Sequence, residues 1–285
     1  MTPGRRAAVL GSPIRHSLSP VLHTAAYGVL GLDWTYDAHE VEGDALAAFL
    51  ARLGGDLPGD WAGLSLTMPL KRAAIPLCTD LDEAATVTNA ANTLTFTGAG
   101  SARVVHGANT DVPGMVNALA GAGVTSVDSA AVLGGGATAA AAVAALAEIC
   151  SGPVEVFVRT PERAAELLPV AEHYGLELRV RDWKDGAGGL AAPLVIATTP
   201  KGTADHLAAA APGVQSEMAG VLFDVLYDPW PTPLAAAWTG TVLGGLDLLV
   251  HQAVLQVELM TGQSVDRAAV LAAMYAAGEA ELTRR

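Results

Sequence analysis

Short apolar runs alternate with stretches of helical spacing over most of the chain. This alternation predicts parallel strands covered by helices, because each crossover between parallel strands passes over one face of the sheet. The amino-terminal pattern predicts, in chain order, a strand at 7–10, a helix at 20–30, a strand at 34–41, a helix at 44–53 and a strand at 61–67. A further strand pair is predicted at 91–97 and 102–106, joined by a turn at 98–101.

A second alternating series begins after Asp111. Pro113 suits the first turn of a helix that ends near Ala120. The pattern then predicts strands at 130–133, 154–158, 178–180, 194–198 and 221–225, and helices at 137–149, 161–173, 247–260 and 265–282. The sequence therefore predicts an α/β protein with two units.

Composition narrows the classes of function. Of the 285 residues, 51% are apolar and 16% are charged, so the chain can bury a sizeable core and is not of the disordered class. Asp and Glu number 29 against 16 Lys and Arg, which gives a net charge of −13. That balance argues against binding to nucleic acid or to an acidic membrane, because both need a basic surface. It does not exclude a local pocket for an anionic ligand.

The cysteines and one long uncharged stretch bear on location. Cys78 and Cys150 are far apart and lack metal-ligand spacing, so we interpret both as small buried residues of a protein in a reducing compartment. Residues 129–147 carry no charge but are mostly Ala and Gly, which predicts a buried strand running into a helix and no membrane span. No signal peptide is visible, so we expect a cytoplasmic protein.

A glycine-rich turn follows the predicted strand at 130–133. The pattern G-x-G-x-x-A is met by Gly134, Gly135, Gly136, Ala137, Thr138 and Ala139. In such a turn the first glycine permits a tight bend, the second admits a pyrophosphate, and the helix amino terminus faces the phosphates. The alternative is a tight turn of any α/β protein, but the flanking strand and helix favour dinucleotide binding.

The end of the next strand indicates which dinucleotide would bind. Arg159 and Thr160 follow the strand at 154–158, and Arg163 lies four residues beyond Arg159. An arginine there can bind a ribose 2′-phosphate, whereas NAD sites usually carry an acidic residue. Glu155 stands at the wrong end of the strand for that role. The pattern favours NADP, with a solvated arginine at a helix start as the alternative.

Four short segments concentrate polar residues in the first half of the chain: residues 11–20, 65–71, 89–93 and 107–111. Taken singly, each has a plain interpretation. Ser19 suits a helix N-cap, Lys71 is a solvated lysine after a strand, and the Asn and Asp residues suit turns. Ends of strands in an open parallel sheet are, however, where ligands bind.

Taken together, these segments resemble the shikimate dehydrogenase family. The pattern G-x-P-I-x-H-S-x-S-P matches 11–20, N-V-T-x-P-x-K matches 65–71 except at Ser65 and Leu66, N-T-L matches 92–94, and N-T-D-x-x-G matches 109–114. Later, I-N-A-T-P-x-G resembles 196–202 with Ala197 for Asn. D-x-x-Y-x-P-x-x-T-P-L matches 224–234, and G-x-x-M-L-V-x-Q matches 245–252 with Leu248 for Met. The resemblance covers nearly the whole chain in the right order.

The resemblance implies an NADP-dependent oxidoreductase that reversibly reduces 3-dehydroshikimate to shikimate on the route to chorismate and the aromatic amino acids, without a metal. It implies an α/β substrate domain with a mostly parallel sheet (1–111 and 247–285), a Rossmann-type NADP domain (112–246) and a cleft between them. We expect a small-molecule substrate, no nucleic-acid or membrane partner, and a monomer or a homodimer.

The resemblance also implies roles for individual residues. The catalytic pair would be Lys71 and Asp111. Substrate would be bound by Ser17, Ser19, Thr67, Asn92, Tyr227 and Gln252, the serines and the tyrosine holding its carboxylate. NADP(H) would be bound by Gly134, Gly135, Gly136, Ala137, Thr138, Arg159, Thr160, Arg163, Thr198 and Gly245.

Three departures from the family pattern leave alternatives open. Ser65 replaces an Asn at a strand end and predicts a rewired hydrogen-bonded turn, Val158 replaces an Asn next to Arg159, and Ala197 replaces an Asn near the expected nicotinamide. The motifs separate shikimate poorly from quinate or aminoshikimate, so a paralogue acting on one of these is the first alternative. A non-catalytic nucleotide-binding sensor is the second, because a fold alone does not imply activity.

Overall fold

A computed structural model of the protein describes residues 4–98, 103–211 and 220–285. The chain divides into two compact units. The first unit combines residues 1–110 with residues 249–285, and the second comprises residues 111–248. The first unit is therefore discontinuous in sequence.

Among the described residues, the first unit contains six strands, four short or medium helices and two long helices near the carboxyl end, the first of which is shared with the second unit. Its elements are β1 (Arg6–Gly11), α1 (Ser19–Leu30), β2 (Thr35–Glu40), α2 (Leu46–Arg52), β3 (Trp61–Leu66), α3 (Leu70–Ala73), β4 (Asp80–Leu81), α4 (Glu83–Thr88), β5 (Thr93–Thr97), β6 (Val104–Ala108) and α11 (Arg267–Arg284). Helix α10 (Gly245–Thr261) contains the point at which the two units divide.

The first sheet has the strand order β2-β1-β3-β5-β6-β4. Strands β1 and β3 are buried on both faces and lie inside the sheet, whereas β2 alternates in exposure and lies at its edge. Strand β5 runs antiparallel to β3 and β6, and the other pairings are parallel. The predicted mostly parallel sheet is confirmed.

The second unit is built on a parallel sheet. Its elements are α5 (Asp111–Gly121), β7 (Ala130–Leu133), α6 (Ala137–Ile149), β8 (Val154–Val158), α7 (Leu168–Tyr174), β9 (Leu178–Asp182), α8 (Gly186–Gly189), β10 (Leu194–Ala197), β11 (Val221–Asp224), α9 (Pro233–Ala237), β12 (Val242–Leu243) and the start of α10. The strand order is β12-β11-β10-β7-β8-β9. The chain order reverses between β7 and β10, which is the switch point where open α/β sheets bind ligands.

The uncharged stretch at 129–147 forms β7 and α6. The side chains of α6 from Ala139 to Leu146 are all buried, because small alanines let the helix pack closely against its neighbours α5, α7 and β7. Within residues 4–98, 103–211 and 220–285, no helix has both the length and the apolar character needed to cross a membrane.

The helix predicted at 161–173 is confirmed only in its carboxyl half, and its predicted start is wrong. Residues 161–163 form a single 3₁₀ turn, turns follow, and α7 begins only at Leu168. Pro169 explains the late start, because a proline has no N–H to donate to the carbonyl of an earlier helical turn but is tolerated in the first turn of a helix, where it stands in α7. The predicted turn at 98–101 and the start of its second strand lie largely outside the described residues.

Candidate active site

The serine-containing loop at 11–20 packs against the segment that follows β3. Gly11 ends β1 so close to Thr67 that a Cβ at this position would lie 2.3 Å from Thr67 Cγ2. The Ser12 N–H donates to the Met68 carbonyl oxygen at 2.9 Å, and the Thr67 N–H donates to the Leu10 carbonyl oxygen at 2.9 Å. Two of the four polar segments are thereby joined, and only glycine fits at the junction.

Helix α1 begins at Ser19 itself. Leu18 occupies the N-cap position, where no side chain caps the helix, so the interpretation of Ser19 as a plain N-cap is wrong. The Ser19 N–H instead donates to Ser17 Oγ at 3.3 Å. Both serines therefore stand at the amino end of a twelve-residue helix, where the positive end of the helix dipole favours an anion.

Asn92 joins the third and fourth polar segments. Its Oδ1 accepts from the Thr110 N–H at 2.9 Å, and its Nδ2 donates to Thr110 Oγ1 at 2.9 Å and to Gln252 Oε1 at 3.2 Å. Asn92 is therefore not a simple turn residue, because its side chain bonds residues far along the chain. Asn92, Thr110 and Gln252 are nearly fully buried and form one polar cluster in the first unit.

Lys71 lies on α3, and its backbone is bonded to the residue that precedes Asn92 of this cluster. The Lys71 carbonyl oxygen accepts from the Ala91 N–H at 2.8 Å, one residue before Asn92, and the lysine side chain is half-buried. Asp111 directly follows Thr110, begins α5 in the second unit and is buried. Lys71 is therefore not the fully solvated lysine that a strand end alone would suggest.

Asp82 orients the segment before Asp111, and the sequence analysis missed it. Its carboxylate accepts from the Asn109 N–H at 3.2 Å and caps α4 through the Ala85 N–H at 2.6 Å. Burial raises the pKa of Asp82, and the hydrogen bonds from the Ala85 and Asn109 N–H groups act in the opposite direction. An Asp before a helical stretch could have been recognised as a cap, but its second bond links residues 27 positions apart.

His23 lies one turn beyond Ser19 on α1 and is fully buried. Its Nδ1 lies 3.0 Å from the Ser19 carbonyl oxygen, and its ring stacks on Tyr36 with 4.0 Å between centroids. Burial lowers the pKa of His23 from 6.5 to about 4, against the opposing effect of the bond to Ser19. The folded protein therefore holds a neutral imidazole under the serine loop.

We expect His23 to make the free energy of unfolding depend on pH. As the pH falls below 6.5, the unfolded chain protonates this imidazole and the folded chain does so only near pH 4, so stability is lost over that range. The loss between pH 7.5 and pH 5 should be about 2 kcal/mol. His23→Phe keeps a ring against Tyr36 and should remove this pH-dependent loss in the free energy of unfolding, as measured by urea unfolding at both pH values. An equal loss in wild type and variant would contradict the assignment.

The glycine-rich turn lies at the switch point of the second sheet. Gly134 follows β7 with a φ of +119°, and a Cβ there would lie 2.6 Å from Thr198 Oγ1. Thr198 follows β10 and bonds back to the Leu133 carbonyl oxygen at 2.9 Å. Gly136 precedes the first residue of α6 without a side-chain cap, and no heavy atom lies within 4 Å of a Cβ placed there. The turn therefore leaves room above an open helix amino terminus.

Arginines beyond β8 are exposed at the side of this turn. Arg159, Thr160 and Arg163 are all exposed, and the Arg163 N–H donates to the Thr160 carbonyl oxygen at 3.0 Å. Glu155 is occupied elsewhere, because Arg181 on β9 pairs with its carboxylate at 2.7 Å. An exposed guanidinium near the glycine turn suits a phosphate better than a ribose hydroxyl.

Tyr227 and Gly245 come together in the second unit. The Gly245 N–H donates to the Leu226 carbonyl oxygen at 2.9 Å, next to the half-buried Tyr227. Asp224 shapes the loop by accepting from the Leu226 N–H at 3.2 Å and from Thr232 Oγ1 at 2.7 Å. Ser17 and Ser19, the other residues expected at a carboxylate, belong to the first unit.

Comparisons with known proteins decide the family. The family model of the shikimate dehydrogenase substrate binding domain matches residues 9–94, and that of the shikimate 5'-dehydrogenase C-terminal domain matches residues 245–275. A shikimate dehydrogenase (NADP(+)) of Acidiphilium cryptum (strain JF-5) is 35% identical over 260 residues, which are 88% of this chain and 88% of the relative.

The chain belongs to the shikimate dehydrogenase family.

Solved structures of the family agree in fold. The shikimate dehydrogenase of Mycobacterium tuberculosis is 38% identical with a TM-score of 0.83, over 95% of this chain and 99% of that one. The shikimate 5-dehydrogenase of Thermus thermophilus, solved in complex with NADP(H) and shikimate, is 31% identical with a TM-score of 0.78, over 96% and 99%. The predicted family and two-unit α/β fold are confirmed, whereas the roles of the individual site residues stay predictions.

Proposed function

We propose that this protein is an NADP-dependent shikimate dehydrogenase that reversibly reduces 3-dehydroshikimate to shikimate on the route to chorismate and the aromatic amino acids. The observation that carries the proposal is the buried cluster of Asn92, Thr110 and Gln252 in a member of this family. Buried amides and hydroxyls of this kind recognise a hydroxylated ring by hydrogen bonds, and they penalise ligands that leave them unpaired.

The polar segments of the first unit would bind the substrate. Asn92, Gln252 and Thr67 would bind the ring hydroxyls. Ser17 and Ser19 would bind the carboxylate at the amino end of α1, and Tyr227 would complete that site from the second unit. The serine hydroxyls and the positive end of the helix both favour an anion, which supports this assignment.

Lys71 and Asp111 would act on the reacting carbonyl. Reduction of a ketone develops negative charge on its oxygen, and a positioned ammonium with three N–H donors can stabilise that charge and deliver a proton. The Asp111 carboxylate would hold the ammonium and accept a bond from a substrate hydroxyl. Both side chains are at least partly withdrawn from solvent, which strengthens electrostatic interactions.

The second unit fits a dinucleotide. A side chain at position 134 would meet Thr198, and the space at Gly136 is open beside the uncapped start of α6. NADPH would be held by the glycine turn (134–138), Arg159, Thr160, Arg163, Thr198 and Gly245, and when bound it would supply the hydride. The chain's own part is to hold the pyrophosphate on N–H groups and the 2′-phosphate on Arg159.

Turnover assays test the proposal directly. We expect the loss of NADPH absorbance to be fast with 3-dehydroshikimate and slow with 3-dehydroquinate, and NADH to be a poor substitute. Preference for 3-dehydroquinate would identify a quinate-type paralogue. No turnover with any pair, in a folded protein that still binds NADPH, would favour the sensor alternative.

Arg159→Ala tests the choice of cofactor. Because the guanidinium would contact only the 2′-phosphate, we expect the KM for NADPH to rise by at least tenfold, and the KM for NADH to change by less than about twofold. Arg181→Ala is the matched control, since Arg181 pairs with Glu155 on the neighbouring strand. Equal changes for both cofactors in Arg159→Ala would contradict the NADP assignment.

We propose further that the enzyme works in the cytoplasm, as a monomer or a homodimer, on small-molecule substrates. Cys78 and Cys150 are both free thiols, and burial raises the pKa of each. Such thiols suit a reducing compartment.

A further inference from the structure

A buried chain of hydrogen bonds runs from β2 to Asn92 within the first unit. Tyr36 Oη donates to Ser65 Oγ at 2.5 Å, and Ser65 Oγ donates to Gln256 Oε1 at 2.7 Å. Gln256 Nε2 donates to Thr93 Oγ1 at 2.9 Å, and Thr93 Oγ1 donates to Asn92 Oδ1 at 2.8 Å. All five side chains are nearly fully buried, so bulk water does not compete for these hydrogen bonds.

Each hydrogen bond in this series has a fixed direction from donor to acceptor. Burial raises the pKa of Tyr36 well above its ordinary value, so its hydroxyl keeps the proton that it donates to Ser65. A serine hydroxyl has one proton, which Ser65 gives to Gln256 Oε1, and the amide nitrogen of Gln256 must then face Thr93. Thr93 accepts that bond and has one proton left, which it gives to Asn92 Oδ1.

The last bond determines which way the Asn92 amide points. Its oxygen receives the Thr93 hydroxyl and the Thr110 N–H, so its nitrogen faces Thr110 Oγ1 and Gln252 Oε1. The reversed amide would set its oxygen against Gln252 Oε1, acceptor against acceptor, and would leave two donors unpaired. These hydrogen bonds therefore favour one orientation, in which the two N–H groups of Asn92 face Thr110 Oγ1 and Gln252 Oε1.

We propose that Gln256 and Thr93 are positioning residues that hold the Asn92 amide with its nitrogen toward Gln252, with Ser65 and Tyr36 holding Gln256. A ring hydroxyl of the substrate would then take the place of Gln252 Oε1 as acceptor of one Asn92 N–H. The inference rests on the proposed function, in which Asn92 binds that hydroxyl. It also gives Ser65 a role: at this departure from the family pattern, the serine hydroxyl donates to Gln256, 191 residues away.

Thr93→Val and Thr93→Ser form the decisive pair. Valine has nearly the shape of threonine but loses both bonds, whereas serine keeps the hydroxyl. We expect Thr93→Val to raise the KM for 3-dehydroshikimate by about tenfold, with kcat within about twofold and the KM for NADPH unchanged, because a ground-state contact is weakened. Thr93→Ser should restore the wild-type KM. Gln256→Met, which keeps side-chain length without polar atoms, should act as Thr93→Val does and serves if that variant fails to fold.

A second readout does not depend on turnover. The Thr110 N–H donates to Asn92 Oδ1 at 2.9 Å, so its hydrogen exchange reports the orientation of the amide in the ligand-free protein. We expect faster exchange at Thr110 in Thr93→Val and wild-type exchange in Thr93→Ser. Val257→Ala is the control for a general loss of stability, because Val257 is a fully buried apolar neighbour of Gln256 on α10. This variant should lower the Tm and leave both the KM and the Thr110 exchange unchanged.

The outcomes separate the two proposals. An unchanged KM in Thr93→Val, with or without a change at Thr110, overturns the positioning role, and so do equal changes in Val257→Ala. If the wild-type protein does not reduce 3-dehydroshikimate, the proposed function fails by that assay alone. Whether or not the wild-type protein reduces 3-dehydroshikimate, unchanged Thr110 exchange in Thr93→Val overturns the proposal that Thr93 fixes the orientation of the Asn92 amide.

Discussion

Replacing Lys71 by alanine is expected to lower kcat for 3-dehydroshikimate by about 10²-fold or more, while the Kd of NADPH changes little. The ammonium would act where charge develops on the substrate oxygen, and this lysine belongs to the first unit, whereas the glycine turn belongs to the second. Single-turnover kinetics and a fluorescence titration with NADPH measure the two quantities separately.

Lys184→Ala is the control for the lost charge. Lys184 is exposed and pairs with Asp182 at 3.2 Å, outside the segments assigned to either ligand. Its removal should leave kcat unchanged. A Lys71→Ala enzyme with near-normal turnover would refute the catalytic role of Lys71, and a loss of NADPH binding in that variant would point to a different site for the lysine.

Two alanine substitutions in the glycine turn should separate folding from cofactor binding. Gly134→Ala forces a side chain into left-handed backbone and against Thr198 Oγ1, so we expect a loss of about 1–3 kcal/mol in the free energy of unfolding and a large rise in the Kd of NADPH. At Gly136 φ is −96° and the space is open, so alanine should leave stability nearly unchanged. Its methyl group would nevertheless stand where the pyrophosphate must approach, and the Kd of NADPH should rise by about tenfold or more.

Urea unfolding without ligand and a binding titration with NADPH distinguish these effects. The two substitutions add the same methyl group to one loop, so each is a control for the other. Unchanged NADPH affinity in Gly136→Ala would show that the dinucleotide does not approach this backbone. Equal losses of stability in both variants would contradict the contrast between the two positions.

Local pattern was sufficient for most of the fold. Buried strands such as β1 and β7 are continuous apolar runs, and the alanine-rich α6 follows its glycine turn, so neighbouring residues alone indicate them. The pattern failed at the start of α7, which Pro169 delays within a stretch of helical composition. It also missed β4 and β12, because strands of two residues are too short for any periodicity.

The candidate site was predictable only in part, because local sequence pattern does not indicate contacts between residues far apart in the chain. The resemblance to the family singled out Asn92 and Gln252, and the structure brings them within hydrogen-bond distance. Tyr36 and Gln256 gave no such signal, because their roles depend on partners 29 and 191 residues away and each alone is an ordinary residue of a strand or a helix. Asp82 was missed because one of its two bonds is a local cap and the other is distant.

The division of the chain inside α10 has a consequence for biosynthesis. Gln256 bonds the Asn92 carbonyl oxygen across 164 residues, and the whole second unit is translated between them. At ~5–20 residues per second, a ribosome needs on the order of ten seconds or more to cover that interval. The nascent first unit therefore waits with Ser65 and Asn92 lacking their helical partner, while the second unit, contiguous in sequence, can complete its own fold. Maturation of the substrate-binding cluster is then a late event that follows the emergence of α10 from the ribosome.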